Sequence, residues 1–290
     1  MADPVMLFAD ALQAVYGALD FTPVPDGQIH RFKVPSDRTG SRNGWYVLYL
    51  DGIASGAFGS WKIGGTQTWS AREPANPHEA DQLRRRIDTA RRQREAEQWQ
   101  RQEKAANRAR CAWSDTTPAD PRHPYLIRKS IKPHGLRQAG DVLLVPLYAG
   151  ERLVNLQRIL PDGSKRFLAG GRVKGAYSSI GLMEPGQTLY VCEGWATGAT
   201  IHEETGDPVA CAMNAGNLLN VGRALSRGYP DNPIVIAGDD DRQTEGNPGK
   251  TAAIKAAAAL GCGLVMPPWP KDAPPDLTDF NDLACWRARA

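Results

Sequence analysis

No Cys-x-x-Cys pair, no long apolar run and no internal repeat occurs in these 290 residues, and each absence removes a class of protein. The five cysteines, Cys111, Cys192, Cys211, Cys262 and Cys285, lie far apart, so neither a structural zinc site nor a disulfide framework is spelled out. That usage suits a reducing compartment and predicts a cytoplasmic protein. The longest apolar stretch, Ala256 to Met266, is too short to cross a bilayer, and Met1 to Tyr16 has neither a basic start nor a cleavage pattern. No membrane partner is expected. The 22 prolines and 29 glycines follow no period, which excludes collagen-like and coiled-coil chains. What remains is a globular protein, 41% hydrophobic and long enough for about two domains. The five histidines (His30, His78, His123, His134, His202) lack metal-ligand spacing.

Evenly spread charge is also missing. Residues 191–290 hold 8 Lys and Arg against 13 Asp and Glu, whereas residues 1–190 hold 27 against 19. A basic part joined to an acidic one suits a protein that holds a polyanion and does metal chemistry on it; ordinary variation between domains gives the same arithmetic.

The apolar spacing over residues 5–19, behind Asp3 and Pro4, predicts a short opening helix. From Gln28 to Trp69, short alternating runs separated by Gly, Asp and Ser predict an antiparallel meander. Residues 78–112 contain no Gly or Pro and carry ten basic and six acidic side chains, which predicts a long polar helix. It reads either as a solvated connector or as a nucleic-acid contact through Arg84 and Arg85. Residues 141–171 alternate like two or three strands, and from Gln187 onward strand-like runs alternate with helix-like runs, the pattern of a parallel α/β sheet.

Within that α/β unit, Glu193 follows the strand run TLYVC and Asp239, Asp240 and Asp241 follow IVIAG. Carboxyl ends of parallel strands are where open sheets bind ligands, so Glu193, Asp239 and Asp241 are expected to share one crevice. Hard oxygen ligands suit Mg²⁺ or Mn²⁺, and without a cation at least one of these carboxylates should bind its proton more tightly than usual. The run Gly246 to Thr251 lacks the first glycine of a phosphate-binding P-loop, so an ATPase is not expected.

The residues Glu193-Gly194-Trp195-Ala196-Thr197-Gly198 after one strand, and Gly238-Asp239-Asp240-Asp241 after another, resemble the Toprim domain of bacterial-type primases, topoisomerases and certain nucleases. The resemblance covers residues 186–285 and implies Glu193, Asp239 and Asp241 as catalytic metal ligands, with Asp240 in an unconstrained middle place. Asp279, in the closing acidic motif, is implied as a further ligand or a helix cap. Leu153 to Gly181 resembles the basic segment that precedes Toprim in phage and plasmid primases. It implies that Arg158, Lys165, Arg166 and Lys174 hold template or nucleotide beside the metals. Asn214 and Asn217 resemble the amides lining the nucleotide side, although Asn217 serves equally as a helix cap. In the meander, Arg42, Trp45 and Lys62 resemble the primase leader and either stack on single strands or, for the aromatics, form a small core.

The expected architecture is an α/β Toprim domain at 186–290, a central parallel sheet flanked by helices. It is preceded by a basic α+β subdomain at 116–185, a charged helix at 77–115 and a small β-rich module at 1–76. The expected function is a primase core that makes short RNA primers on a single-stranded DNA template from nucleoside triphosphates. A Toprim nuclease and a non-catalytic single-strand-binding accessory are the alternatives. These residues spell out no cysteine-rich zinc module and no helicase motor, so either such parts lie outside this sequence, with a zinc-binding module or helicase on another chain as one such partner, or the protein does less than prime.

Overall fold

The computed structural model describes residues 3–61 and 64–289, which cluster into two compact units, 1–100 and 101–290. In the first unit, helix α1 (Pro4–Tyr16) starts where Asp3 accepts the Val5 N–H at 3.0 Å and Pro4 needs no partner. Strands β1 (His30–Phe32), β2 (Gly44–Tyr49), β3 (Ser55–Ser60) and β4 (Gly64–Ser70) form the antiparallel meander in simple order. Phe8 and Leu12 of α1 pack on Phe32, Tyr46, Leu48 and Phe58. The opposite face buries Trp45, Val47 and Ala57 against Ala90 of the long helix α2 (Pro77–Ser114).

The second unit contains the last part of α2 and two five-stranded sheets. Strands β5 (Thr117–Pro118), β6 (Arg137–Ala139), β7 (Val142–Ala149), β8 (Arg152–Ile159) and β9 (Lys165–Phe167) make an antiparallel sheet in sequence order, with helix α3 (Pro124–Lys129) between β5 and β6. One face of β7 and β8 packs Val142, Leu144 and Leu156 on Ala109 of α2.

The other sheet contains β10 (Ser178–Ile180), β11 (Leu189–Cys192), β12 (Val209–Cys211), β13 (Ile234–Ala237) and β14 (Gly263–Val265). Its order is β10-β12-β11-β13-β14, parallel throughout except for the antiparallel edge strand β10. Helices α4 (Trp195–Thr205), α5 (Leu218–Gly228), α6 (Pro248–Leu260) and α7 (Phe280–Arg287) complete it. Alternation of strands and helices forces this topology, because parallel neighbours need a crossover. A core running through Leu143, Val145 and Leu147 of β7 to Trp195, Ala196 and Ala199 of α4 joins the two sheets. Gly198 lets α4 sit on β11 and β12, since a Cβ there would collide with Cys211 Sγ.

Among the described residues no helix is long and apolar enough to cross a membrane.

Candidate active site

The sheet order places β11 between β12 and β13, so the chain reverses its direction of growth beside β11. Cys192 and Ala237, the last residues of β11 and β13, are paired in register. Glu193 and, after Gly238, Asp239 therefore leave adjacent strand ends at the switch point, where parallel sheets open a ligand crevice. A cavity of about 170 Å³ lies there, and Glu193, Asp239, Asp279, Lys129 and Lys165 line it.

Asp239 carries the strongest signal. Its Oδ1 is buried and has no hydrogen-bond partner among the described residues. Burial, followed by the charges of Asp279, Glu193 and Asp241, pushes its carboxyl up to about 8. Burial and Asp241 likewise raise Glu193, while the Ala215 N–H and Lys165 draw it back. Burial and Asp282 raise Asp279, which Lys129, the Asp282 N–H and the Thr197 hydroxyl oppose. The proton affinity expected of crowded carboxylates is present, with burial as its first cause.

Asp279 caps α7 by accepting the Asp282 N–H at 2.8 Å, and its other oxygen accepts the Thr197 hydroxyl at 3.2 Å. Asp241 is tied to α6, its Oδ2 accepting the Gly249 N–H at 2.8 Å in the first turn. A Cβ on Gly249 would lie 2.8 Å from that oxygen and 2.9 Å from the Asp239 carbonyl, so a glycine is needed here. Asp240 is not the unconstrained residue the motif implied. Only 8% exposed, it accepts the Trp269 Nε1–H at 3.1 Å and the Asn247 amide at 2.7 Å, tying the loop to α6.

Two lysines enter from outside the acidic motifs. Lys165 is exposed as a residue on β9, yet its Nζ lies 5.7 Å from the Tyr125 ring centroid inside the cleft. Burial of that ammonium and the neighbouring Lys129 lower its proton affinity, while Asp279, Asp239 and Glu193 restore part of it. Lys129, which the sequence did not single out, ends α3 and bonds Asp282 Oδ1 at 2.9 Å. Burial alone would release its proton; Asp279 and Asp282 outweigh that and raise its affinity. Its only advance signal was a basic residue at the end of a short helix that itself went unpredicted.

The remaining basic candidates separate by strand alternation. Lys165 is registered with Ile159, and Phe167 with Gln157, on the cleft side of β8. Arg166 is registered with Arg158, on the face that carries Leu144 and Leu156 toward α2. These two arginines are exposed and do not face the carboxylates as the resemblance implied, because a strand aims successive residues to opposite faces. Lys174 is exposed in the 171–177 connection, and Asn214 is half-buried just beyond β12.

Asn217 has a framework position. Its Oδ1 accepts the Gly175 N–H at 2.8 Å, and its Nδ2 donates to the carbonyls of Val173, Ala176 and Ala212 at 2.9–3.0 Å. In the first unit, Trp45 is 2% exposed and beneath Arg94, 5.4 Å from ring centroid to guanidinium, so it serves the small core and offers no stacking surface. Arg42 and Arg84 are exposed, Arg85 pairs with Asp81 at 2.8 Å, and Lys62 lies outside the described residues.

Among the described residues no three Asp, Glu, His or Cys side chains are gathered closely enough to hold one ion as they stand. Mg²⁺, however, is commonly held by one or two carboxylates with water filling its other positions. A buried carboxylate oxygen without a donor, beside a second strand-end carboxylate, fits that requirement.

Residues 188–290 match the family model of the Toprim domain. This part of the chain is a Toprim domain. The whole chain extends beyond it, and over 272 residues it is 34% identical to a DNA primase TraC of Escherichia coli, covering 87% of this chain and 26% of that relative. A second Escherichia coli DNA primase TraC is 33% identical over 273 residues, covering 90% of this chain and 19% of the relative. The chain thus spans about a quarter or less of the length of the curated relatives it matches. Among solved structures, the primase fragment of the bacteriophage T7 primase-helicase protein aligns with 58% of this chain and 71% of its own, at 16% identity and a TM-score of 0.43. The Aquifex aeolicus primase, with zinc-binding and RNA polymerase domains, aligns with 99% and 85% at 13% identity and a TM-score of 0.39.

Proposed function

We propose that this Toprim-containing chain is a primase catalytic core, which joins nucleoside triphosphates into short RNA primers on a single-stranded DNA template. The observation that carries this reading is the donorless Asp239 carboxylate beside Glu193 at the switch point, with Lys165 brought to the same cavity by β9. Similarity to proteins named DNA primase supports the choice of primer synthesis among Toprim chemistries.

In this reading Asp239 and Glu193 hold a divalent cation, Mg²⁺ or Mn²⁺, with Asp241 and Asp279 close by. When bound, the cation polarises phosphoryl oxygen and makes an attacking hydroxyl more acidic. The chain's own groups do the rest. Lys165 and Lys129 present fixed positive charge to a triphosphate in a cavity partly shielded from water, where such charge acts more strongly than in solvent. Asp241, fixed by the Gly249 N–H, and Asp279, fixed by its cap and Thr197, hold their positions without rearrangement. Lys174 and Asn214 border the template or nucleotide path, while Arg42, Arg84 and Arg85 supply exposed charge for DNA. A zinc-binding module or a helicase on another chain supplies template reading and movement.

The test incubates the chain with single-stranded DNA, labelled nucleoside triphosphates and Mg²⁺ or Mn²⁺. Short RNA products that vanish in Glu193→Gln are expected. Shortened DNA without RNA would assign a nuclease instead, and no RNA even with a zinc-binding partner and helicase supplied would overturn the proposal.

A further inference from the structure

A second and larger cavity, about 440 Å³, lies beside α3 and α7. α3 contributes Arg128 and Lys129, the loop before α7 contributes Asp276, and α7 with its last turn contributes Asp282, Trp286 and Arg289. The volume is that of a small-molecule site. Lys129 lines this cavity and the carboxylate cleft alike, so the two are neighbours within one unit.

The charges here are unequal in their freedom. Lys129 is held by Asp282 at 2.9 Å. Arg128 gives one N–H to the Pro161 carbonyl at 3.1 Å, lies 5.8 Å from the Tyr125 ring centroid and helps hold the Asp162 carboxyl below its ordinary range, yet closes no ion pair with it, so most of its five donors remain for a ligand. Among the described residues neither Arg128 nor Arg289 forms an ion pair. Arg289 follows Trp286 by three residues, its backbone N–H bonds the Trp286 carbonyl at 3.1 Å in the turn that ends α7, and both residues line the cavity. Trp286 is half-buried and lines the cavity.

A cavity lined by an indole and by two arginines outside any ion pair matches a ligand with a flat ring and a phosphate tail. The ring stacks on the indole, the guanidinium forks take phosphate oxygens in pairs, and Asp276 accepts from a base or sugar. We propose that this cavity binds a phosphorylated nucleotide, with its base against Trp286 and its phosphates on Arg128 and Arg289. The site is separate from the metal-binding carboxylates and does not depend on the reaction proposed above. The same chemistry is offered by a free nucleoside triphosphate and by the 5′-phosphorylated end of a strand.

The experiment titrates fluorescently labelled ATP into the full chain in EDTA, where no divalent cation is available and no synthesis occurs. Saturable binding is expected. Trp286→Ala and Arg289→Gln should each weaken it about 10-fold, the usual scale for one base stack or one charged phosphate contact. Trp286→Phe, which keeps a ring in place, should retain most of the affinity and guards against a folding artefact. Unlabelled ATP should compete. If a 5′-phosphorylated oligonucleotide competes equally well, the strand end is a source of the ligand; if it does not, the free nucleotide is. Two results overturn the site: inorganic tripolyphosphate competing as well as ATP with Trp286→Ala unchanged, or binding lost in Asp239→Asn and kept in Trp286→Ala. The assay reads binding without metal, so failure here is distinct from failure of primer synthesis.

Discussion

Arg158 and Arg166 stand directly opposite one another across β8 and β9, two like charges in register on the face turned away from Lys165. Neighbouring residues in sequence, Lys165 and Arg166, thus have different surroundings: the first lies with carboxylates, the second beside another cation. Directly opposed like charges weaken a sheet by a few tenths of a kcal/mol or more.

Arg166→Gln should therefore leave stability unchanged or raise it by about 0.2–1 kcal/mol, read by urea unfolding. Lys165→Gln should instead lower nucleotide incorporation at least about 10-fold, the loss of one charge-assisted phosphate contact. Equal loss of incorporation in the two variants would mean that both side chains reach the reacting phosphates, against the strand alternation.

The pH dependence of stability should run opposite to the common acid-denaturation trend at Asp239. Its carboxyl is raised to about 8 in the folded protein from an ordinary value of 3.8. Between those values the native state keeps a proton that the unfolded chain has released, so the contribution of Asp239 is lost as pH rises through this window. In metal-free buffer, Asp239→Asn should be more stable than the wild type by on the order of a few kcal/mol near pH 8, and little different near pH 4. A difference that stays constant across that range, measured by chemical unfolding, would remove the buried-carboxyl argument. Added Mg²⁺ should stabilise the wild type and leave the variant largely unaffected.

Gly249→Ala probes the fit of Asp241. The added methyl would lie 2.8 Å from Asp241 Oδ2 and 3.0 Å from Asp239 Cβ, so one of the two acidic residues must move. Catalysis should fall at least about 10-fold, since misplacing reacting groups by even 1 Å can cost about 100-fold. Circular dichroism should be unchanged, because α6 keeps its Asn247 cap. Full activity would show that Asp241 is not held in place through this contact.

Asn217→Ala should cost on the order of 2–4 kcal/mol, visible as a lowered Tm, because it strands the half-buried Gly175 N–H together with several carbonyls, two of them buried. Asn217→Asp should do no better, since its carboxylate would meet the carbonyls to which Nδ2 now donates. A nucleotide-binding role alone predicts an unchanged Tm.

Much of this site is legible in the sequence alone. Asp3 with Pro4, the alternating runs of the meander and the strand and helix alternation after Gln187 specify α1, β1 to β4 and the parallel sheet through short-range rules. Glu193 and Asp239 were legible because a strand-terminating acidic residue needs only the strand to be recognised. Edge strand β10 and helix α3 were not, since a three-residue strand and a six-residue helix carry too few residues for a period. Lys129 was hidden with α3. Trp45, between Asn43-Gly44 and Tyr46, reads in sequence equally as a stacking residue or as core, and only the packing of Ala90 against it decides for core.

The sequence by itself determined the acidic chemistry and its attachment to strand ends, because local periodicity sets where a strand stops and which residue follows it. It did not determine which basic side chains meet those acids. That choice depends on the register of β9 against β8 and on the approach of α3 to α7, which bring residues distant in the chain together through packing and hydrogen bonding across elements. A shift of one residue in the β8–β9 pairing would exchange Lys165 for Arg166 in the cleft, and nothing in the run Lys165-Arg166-Phe167 states which register is built. The buried side of Asp239 was settled in the same way: three carboxylates and a desolvating wall converge on it only when the sheet is assembled.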